Sequence, residues 1–252
     1  MKLSKESVRL LVSAPSQYAM RLAQRPEEIQ AAQALRFQVF NLELNEGLTH
    51  SYTTGLDTDP FDAVCDHLIV EHQPSQQIVG TYRLQTGLSA AKNLGYYCAQ
   101  EFYFDVYEPA RSQIVELGRA CVHRQHRNLF VLGLLWKGIA NYTRERGGRY
   151  LLGCSSLTAQ DPTIGASAFT DLCRNHLAEP GWRTRPLPSH ECPLDALTEE
   201  PIPLPKLLRA YLAIGAKIGG PPAVDRQFKT IDFLTLMDLE SLDPAARERF
   251  FG

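Results

Sequence analysis

The sequence predicts a mixed α/β fold built around one central sheet, and three observations lead to that prediction. Segments of strand character alternate with segments of helical periodicity in the order β, α, two or three β, a crossover, β, α, β. Two of these strands are separated only by a short Gln-Pro-Ser turn, which indicates an antiparallel hairpin. The chain has 252 residues, of which 44% are apolar and 21% are charged, so it can bury a sizeable core.

The first sixty residues divide into an arm, a strand, a helix and a loop. Residues 1–16 show no clear periodicity and are treated as a variable N-terminal arm, and residues 18–22 form a short strand. Pro26, followed by two glutamates, marks the first turn of a helix whose apolar residues recur at helical spacing as far as Phe40. Residues 47–60 contain clustered Thr, Gly and Asp and are predicted to form a loop.

The remaining elements are assigned by the same criteria. Strands are predicted at residues 67–71, 77–84, 114–122 and 150–154, with a helix at 129–145 that ends at Gly147-Gly148. The C-terminal third is predicted to contain a helix at 166–177, Pro-rich connecting chain at 179–205, a helix at 207–218 and a strand at 230–237. We therefore expect a core at residues 17–160 and a C-terminal extension at 161–252 packed on it.

Composition excludes several classes of protein. A net charge of −2 gives no chain-wide attraction to nucleic acid. The six cysteines form no C-x-x-C pair, so neither a zinc site nor a disulfide framework is indicated. No uncharged apolar stretch reaches the roughly 20 residues that span a bilayer, and residues 10–14 are too short for the apolar region of a signal peptide. The expected location is the cytoplasm.

The charges are segregated along the chain. Between Phe37 and Tyr82 there are seven acidic residues and no Lys or Arg, whereas the segment from Arg119 to Arg149 holds seven basic residues and one Glu. Two interpretations stay open at this point. The two segments either neutralise each other as solvated faces, or form a cleft for a cationic and an anionic substrate.

The stretch from Glu116 to Gly133 carries the most specific signal. It predicts a strand, a basic turn and a helix, and it resembles the acyl-donor site of the GNAT superfamily of N-acyltransferases. The usual R/Q-x-x-G-x-G/A pattern lacks its closely spaced glycines here, which favours a phosphopantetheine arm on acyl carrier protein over coenzyme A. The residues that the resemblance assigns to this donor are Val122, His123, Arg124, Arg127 and Asn128.

A closer match extends over nearly the whole chain. The motifs are Leu35-Arg36-Phe37-Gln38-Val39-Phe40, Asp57-x-Asp59-x-Phe61-Asp62, Cys65-Asp66-His67-Leu68, Val79-Gly80-Thr81-Tyr82-Arg83-Leu84, Glu116-Leu-Gly-Arg119 and a tail from Pro203 to Phe233. They resemble the ornithine lipid acyltransferases, which are similar in turn to acyl-homoserine lactone synthases. The resemblance implies a GNAT-like, mostly antiparallel sheet flanked by helices, with a C-terminal helix and strand extension.

The resemblance also implies a reaction, in which a 3-hydroxy fatty acyl group moves from acyl carrier protein to the α-amine of L-ornithine, giving lyso-ornithine lipid. No bound cofactor, metal or nucleic acid is expected. The residues that it assigns to the amino-acid substrate are Arg36, Asp57, Asp59, Asp62, Arg83 and Arg119. Four alternatives stay open. They are acylation of another amino acid such as glycine, lactone synthesis from S-adenosylmethionine, acetyl transfer from coenzyme A, and binding of a carrier protein or lipid without catalysis.

Individual roles remain open between functional and structural interpretations. Glu116 is expected to be either the general base or a surface partner of Arg119. Arg36 is expected either to organise the acidic loop through Asp57 or Asp59, or to contact the substrate carboxylate. His67 and His123 are expected to be structural or phosphate-adjacent, and backbone N–H groups near residues 121–123 are expected to hold the oxyanion. The helix at 207–218 either rests on a membrane surface or packs on its own sheet.

Overall fold

The computed structural model describes residues 17–242 and residue 248, so the predicted N-terminal arm lies outside the described residues. The fold is a mixed α/β fold in which one eight-stranded sheet is flanked by helices, as predicted. The strand order is β1-β2-β3-β4-β5-β8-β6, and β7 also pairs with β8. The strands are β1 Tyr18–Leu22, β2 Asp66–His72, β3 Gln77–Thr86, β4 Ile114–Val122, β5 Tyr150–Leu157, β6 Lys217–Ile218, β7 Ala223–Asp225 and β8 Thr230–Asp238.

The α-helices pack against both sides of this sheet. They are α1 Pro26–Phe37, α2 Ser51–Thr54, α3 Gly87–Lys92, α4 Leu129–Glu145, α5 Pro162–His176 and α6 Lys206–Ala213. Alternation along β3 separates two environments, because successive side chains of a strand point to opposite faces. Tyr82 and Leu84 belong to the apolar cluster that includes α4, whereas Arg83 and Gln85 bond to Asp59 and Glu116 away from that cluster.

Several element boundaries differ from those predicted, for local reasons. The predicted first helix changes after Phe37 into a π-helical segment that runs to Glu43. Helix α5 begins four residues early because Asp161 caps it, accepting a hydrogen bond from the Thr163 N–H, and Pro162 occupies its first turn. Strand β5 extends to Leu157 because β8 pairs along its whole length.

The predicted helix at residues 207–218 is wrong in its C-terminal half. Helix α6 ends at Ala213, Gly215 has a left-handed φ of 109°, and the chain then enters β6. Leu208 and Leu212 of α6 are buried, as is Ile218 of β6. Leu207, Tyr211 and Ile214, which also suggested a membrane surface, are half-buried. Among the described residues, no helix has both the length and the apolar character needed to cross a bilayer.

Strands β4 and β5 are the only parallel neighbours among the described strands, and they separate after a short ladder. The paired residues are Ile114–Glu116 of β4 and Tyr150–Leu152 of β5. Beyond that ladder, Arg119 adopts a left-handed φ of 50°, and the register between β3 and β4 shifts beside it. A Cβ added to Gly153 would lie 2.3 Å from the Leu117 carbonyl oxygen, so only glycine fits where the strands diverge.

Candidate active site

A cavity of about 320 Å³ opens where β4 and β5 diverge. Residues 116–120 of β4 and 151–156 of β5 contribute to its walls, together with side chains from α6 and β8. One part of the lining is apolar and aromatic and includes Tyr82, Trp136 and Tyr211. Another part carries carboxylates. The cavity therefore joins an apolar surface to an acidic one.

Glu116 lines this cavity and is only 3% exposed. Its Oε2 accepts hydrogen bonds from the Gln85 amide at 2.6 Å and the Tyr97 N–H at 2.9 Å, and its Oε1 accepts one from the Cys98 N–H at 2.8 Å. The alternative prediction that Glu116 pairs with Arg119 is wrong, because the Arg119 guanidinium bonds to Asp57 and Asp59 instead. Three donors thus fix the orientation of the Glu116 carboxylate.

The predicted substrate residues form one closed ring of alternating charges. Its members, in order, are Arg36, Asp57, Arg119, Asp59, Arg83 and Asp62. Every neighbouring pair in this ring is in ion-pair contact, with N···O distances from 2.6 to 3.2 Å. The ring has no net charge, and no side chain in it is more than 10% exposed.

Arg36 holds the ring to helix α1. Its guanidinium contacts Asp62 through two nitrogens, at 2.9 and 2.6 Å, and contacts Asp57 through Nε at 2.9 Å. Burial tends to raise the pKa of Asp62, but the hydrogen bonds and charges of Arg36 and Arg83 outweigh it and hold that pKa well below the usual carboxyl value. The Arg36 and Arg83 guanidinium groups are occupied by these aspartates, so the idea that either binds a substrate carboxylate directly disagrees with this geometry.

Arg119 connects the ring to the cavity, which it also lines. Its guanidinium carbon lies 4.8 Å from the centre of the Tyr97 ring and 4.5 Å from that of Phe228. Both contacts are cation–π interactions. The Tyr97 backbone N–H also donates to Glu116. Tyr97 therefore links Glu116 to the ring of alternating charges through Arg119.

The predicted acyl-donor residues cluster where β4 ends and α4 begins. Asn128 caps α4 by accepting hydrogen bonds from the Phe130 and Val131 N–H groups, both at 3.0 Å. Arg127 donates to the Val122 carbonyl at 2.8 Å and pairs with Glu43. His123 and Arg124 complete the cluster, and the Arg124 side chain is exposed.

The two oppositely charged segments contact each other directly. Arg119 pairs with the aspartates of the ring, Arg127 with Glu43, and Arg146 with Asp66 at 3.4 Å. These contacts, made by three of the seven basic residues of the second segment, support the interpretation of mutual neutralisation for part of the charge. Of the seven acidic residues in the first segment, Glu46 alone has no ion-pair partner among the described residues, and it lines the cavity.

Glu46 belongs to a second acidic group, which the sequence analysis did not identify. The members of this group are Glu46, Glu101, Asp225 and Asp232, and each is at most 7% exposed. Burial is the main cause that raises the pKa of Asp232 to about 6, and burial raises the pKa of Glu101 and Glu46 as well. In the sequence, only Asp232 could have indicated a buried carboxylate, because it interrupts the apolar run of β8. The other members lie in separate segments of the chain.

Comparison with known proteins agrees with this architecture. The family model described as an acetyltransferase (GNAT) domain matches residues 35–137. Among solved structures, the chain is similar to the acyl-homoserine lactone synthase LasI, with a TM-score of 0.54, 12% identity and coverage of 93% of this chain and 95% of that one. It is also similar to FeeM, an N-acyl amino acid synthase from uncultured soil microbes, with a TM-score of 0.55, 10% identity and coverage of 89% and 91%.

Sequence relatives define the family more narrowly. The L-ornithine N(alpha)-acyltransferase of Brucella abortus is 35% identical over 241 residues, covering 88% of this chain and 85% of that protein. The enzyme of the same name from Agrobacterium fabrum is 35% identical over 237 residues, covering 88% and 81%. A third, from Rhodobacter capsulatus, is 31% identical and covers 94% and 96%. The chain therefore belongs to the L-ornithine Nα-acyltransferase family of GNAT-fold enzymes.

Proposed function

We propose that this enzyme transfers a 3-hydroxy fatty acyl group from acyl carrier protein to the α-amine of L-ornithine, giving lyso-ornithine lipid. The observation that carries the proposal is the cavity between the diverging ends of β4 and β5, where the Glu116 carboxylate and an apolar wall meet. The family assignment and the names of the relatives support ornithine as the acceptor.

In this proposal the amine attacks the carbonyl carbon of the thioester directly, without an acyl-enzyme intermediate. The C–N bond forms, the C–S bond breaks, and the pantetheine thiolate leaves and takes up the proton that the amine has lost. A cysteine nucleophile would need a lowered pKa. Burial instead raises the pKa of Cys65 and Cys121 to about 12. The thiols of Cys98 and Cys154, which line the cavity, also have raised pKa values and lie 3.4 Å apart, sulfur to sulfur. These thiols are protonated at neutral pH, which supports direct transfer.

Glu116 is the proposed general base. A carboxylate offers about four acceptor positions, and protein donors use three of them in Glu116. The fourth is available to the ammonium proton of the acceptor or to a water that relays it. Because the three donors orient the carboxylate before substrate arrives, little reorganisation is needed at the moment of transfer.

Backbone geometry supports an oxyanion site at Val122. The His123 N–H donates to the Val79 carbonyl of β3 at 2.8 Å. Along an antiparallel strand successive N–H groups point to opposite edges, so the Val122 N–H is directed away from β3, toward the edge that β5 has left. A donor there stabilises the negative charge that develops on the thioester carbonyl oxygen.

The start of α4 is the proposed docking surface for acyl carrier protein. Arg124 supplies a positive charge that has no ion-pair partner among the described residues, and Leu129 and Phe130 nearby in the chain are 77% and 53% exposed. Exposed apolar side chains flanked by arginines suit an acidic partner that presents an apolar edge. The macrodipole at the N-terminus of α4 adds attraction for the phosphate of the pantetheine arm.

The test uses purified enzyme, 3-hydroxyacyl carrier protein and single amino acids, with products identified by mass spectrometry. We expect acylated L-ornithine from the wild type, and a loss of roughly 10²- to 10⁴-fold in kcat for Glu116→Gln, the usual contribution of a general base. Binding of the acyl carrier protein should be nearly unchanged in this variant.

Other outcomes would contradict the proposal in identifiable ways. Acylation of glycine in place of ornithine would reassign the acceptor, and turnover of acetyl-coenzyme A would reassign the donor. An equal loss of carrier binding and of turnover in Glu116→Gln would favour a binding role for the protein instead of catalysis.

A further inference from the structure

The four carboxylates of Glu46, Glu101, Asp225 and Asp232, named here the acid cluster, gather on one side of the cavity. Glu46, Asp225 and Asp232 line the cavity. Glu101 is not among the lining residues, and carboxylate oxygens of Glu101 and Asp232 lie within 4.8 Å of each other. The members come from four separate segments of the chain, so the fold itself assembles the cluster.

No cation of the described chain neutralises this cluster. None of its four members has an Arg, Lys or His nitrogen at ion-pair distance among the described residues. Burial and the neighbouring carboxylates of Asp232 and Asp225 hold the pKa of Glu101 well above its usual value, and the opposing charge of Arg119 does not outweigh them. The Arg119 guanidinium is already bonded to Asp57 and Asp59. The cluster is thus acidic in excess, whereas the ring of Arg36 is neutral.

Burial raises the pKa of Asp232 and hydrogen bonding with Ser156, Thr230 and Glu101 tends to lower it, but two carboxylate oxygens of the cluster are buried without a hydrogen bond of ordinary geometry. They are Oδ1 of Asp232 and Oε2 of Glu101, in side chains whose residues are 4% and 3% exposed. A buried carboxylate oxygen with no donor is costly, and proteins keep such groups mainly where a ligand completes them. Asp232 lines the cavity, so a donor that enters the cavity can reach it.

The other cluster members are already held in place by the protein. Asp225 Oδ1 accepts hydrogen bonds from the Gln227 and Phe228 N–H groups, both at 2.8 Å. Glu46 accepts a hydrogen bond from the Thr158 hydroxyl. The carboxylates are therefore fixed before a ligand arrives, which lowers the entropic cost of binding.

We infer that the acid cluster binds the side-chain ammonium group of the acceptor amino acid, and that it selects a diamino acid over a neutral one. The inference rests on the proposed function, in which the α-amine reacts while the second amine stays charged. A primary ammonium brings three N–H donors and one positive charge. It supplies the donor that Oδ1 of Asp232 lacks and a positive charge beside the other carboxylates that line the cavity.

A metal ion is the competing occupant of the same place. Cys154 lies within 4.8 Å of the Glu101 and Asp232 carboxylates, so the three groups have the spacing of metal ligands. A cysteine binds metal as the thiolate, whereas the Cys154 thiol donates to the Cys98 sulfur and its pKa is raised well above the usual value. The protonated thiol favours the organic cation.

The experiment compares L-ornithine with L-norvaline, which has the same carbon chain without the side-chain amine. For Asp232→Asn we expect kcat/KM for L-ornithine to fall roughly 10- to 100-fold, the effect of losing a hydrogen bond to a charged group. The value for L-norvaline should change less than about threefold. Asp238→Asn is the matched control, because Asp238 lies on the same strand, pairs with Arg149 and does not line the cavity.

Calorimetric binding of each amino acid without acyl donor separates this inference from the proposed function. If wild-type protein binds L-ornithine and Asp232→Asn abolishes that binding, the inference about the acid cluster is supported, even if the enzyme forms a different acylated product. Equal losses for both amino acids would overturn the inference, as would a stoichiometric divalent metal in wild-type protein that Asp232→Asn lacks. Glu46→Gln repeats the test at a second position should Asp232→Asn fail to fold.

Discussion

Replacing Arg36 with methionine distinguishes a structural ring from a substrate contact. Arg36 is 0% exposed and bonds to both Asp57 and Asp62. Methionine fills part of the same volume but leaves both carboxylates buried with one cation fewer. Breaking a buried ion pair from one side costs about 3–5 kcal/mol. In a domain of this size each kcal/mol lowers Tm by about 2–4 °C, so we expect Arg36→Met to lower Tm by about 6–20 °C.

Thermal and urea unfolding of purified protein measure this loss. Arg25→Met is the matched control, because Arg25 pairs with Glu28 at the exposed start of the same helix and should cost less than about 1 kcal/mol. Combining Arg36→Met with Asp62→Leu should recover part of the loss, since one uncompensated charge is then removed. An unchanged Tm together with a raised KM for the amino acid would refute this reasoning and show that Arg36 contacts the substrate.

Three further predictions concern the strand divergence, the acid cluster and the docking surface. Gly153→Ala should lower both Tm and turnover, because the new methyl group would lie 2.3 Å from the Leu117 carbonyl oxygen; retained turnover would contradict this. The pKa of Asp232 is raised to about 6, so the folded chain binds more protons than the unfolded chain between about pH 4 and 6 and its stability falls as pH rises through that window. Asp232→Asn should therefore raise Tm at pH 7 and flatten that dependence, whereas a lower Tm at pH 7 would argue that the charge is stabilising. Arg124→Glu should raise the KM for acyl carrier protein several-fold at low salt and less at high salt, with the KM for L-ornithine unchanged.

The local elements were predictable because their signals are local. Strands β1 and β4 and helix α4 begin and end where periodicity placed them, and α4 is bounded by the Asn128 cap and the glycines after Glu145. The end of α6 was not predictable from periodicity, because the apolar pattern continues through Gly215 into β6. There the sheet, through pairing with β8, determines the conformation.

The site was predictable only in part, for a related reason. Residues with strong sequence motifs, such as Glu116 and Arg119, do line the cavity. Motif matching did not show that Arg119 would be occupied by a closed ring of partners, because ion pairing depends on distances between remote segments. Likewise Glu101 and Asp232 are 131 positions apart, and only the folded sheet brings their carboxylates together.

The pairing of β5 with β8 has a consequence for synthesis on the ribosome. Strand β5 ends at Leu157, and its partner is complete only at Asp238, about 80 residues later. At roughly 5–20 residues per second, translation takes about 4–16 s to cover that interval. During those seconds the nascent chain presents β5 as an open hydrogen-bonding edge, which is a template for pairing with another chain. We therefore expect chaperone engagement to peak in this window and ribosome-stalled chains that end before β8 to be prone to aggregation.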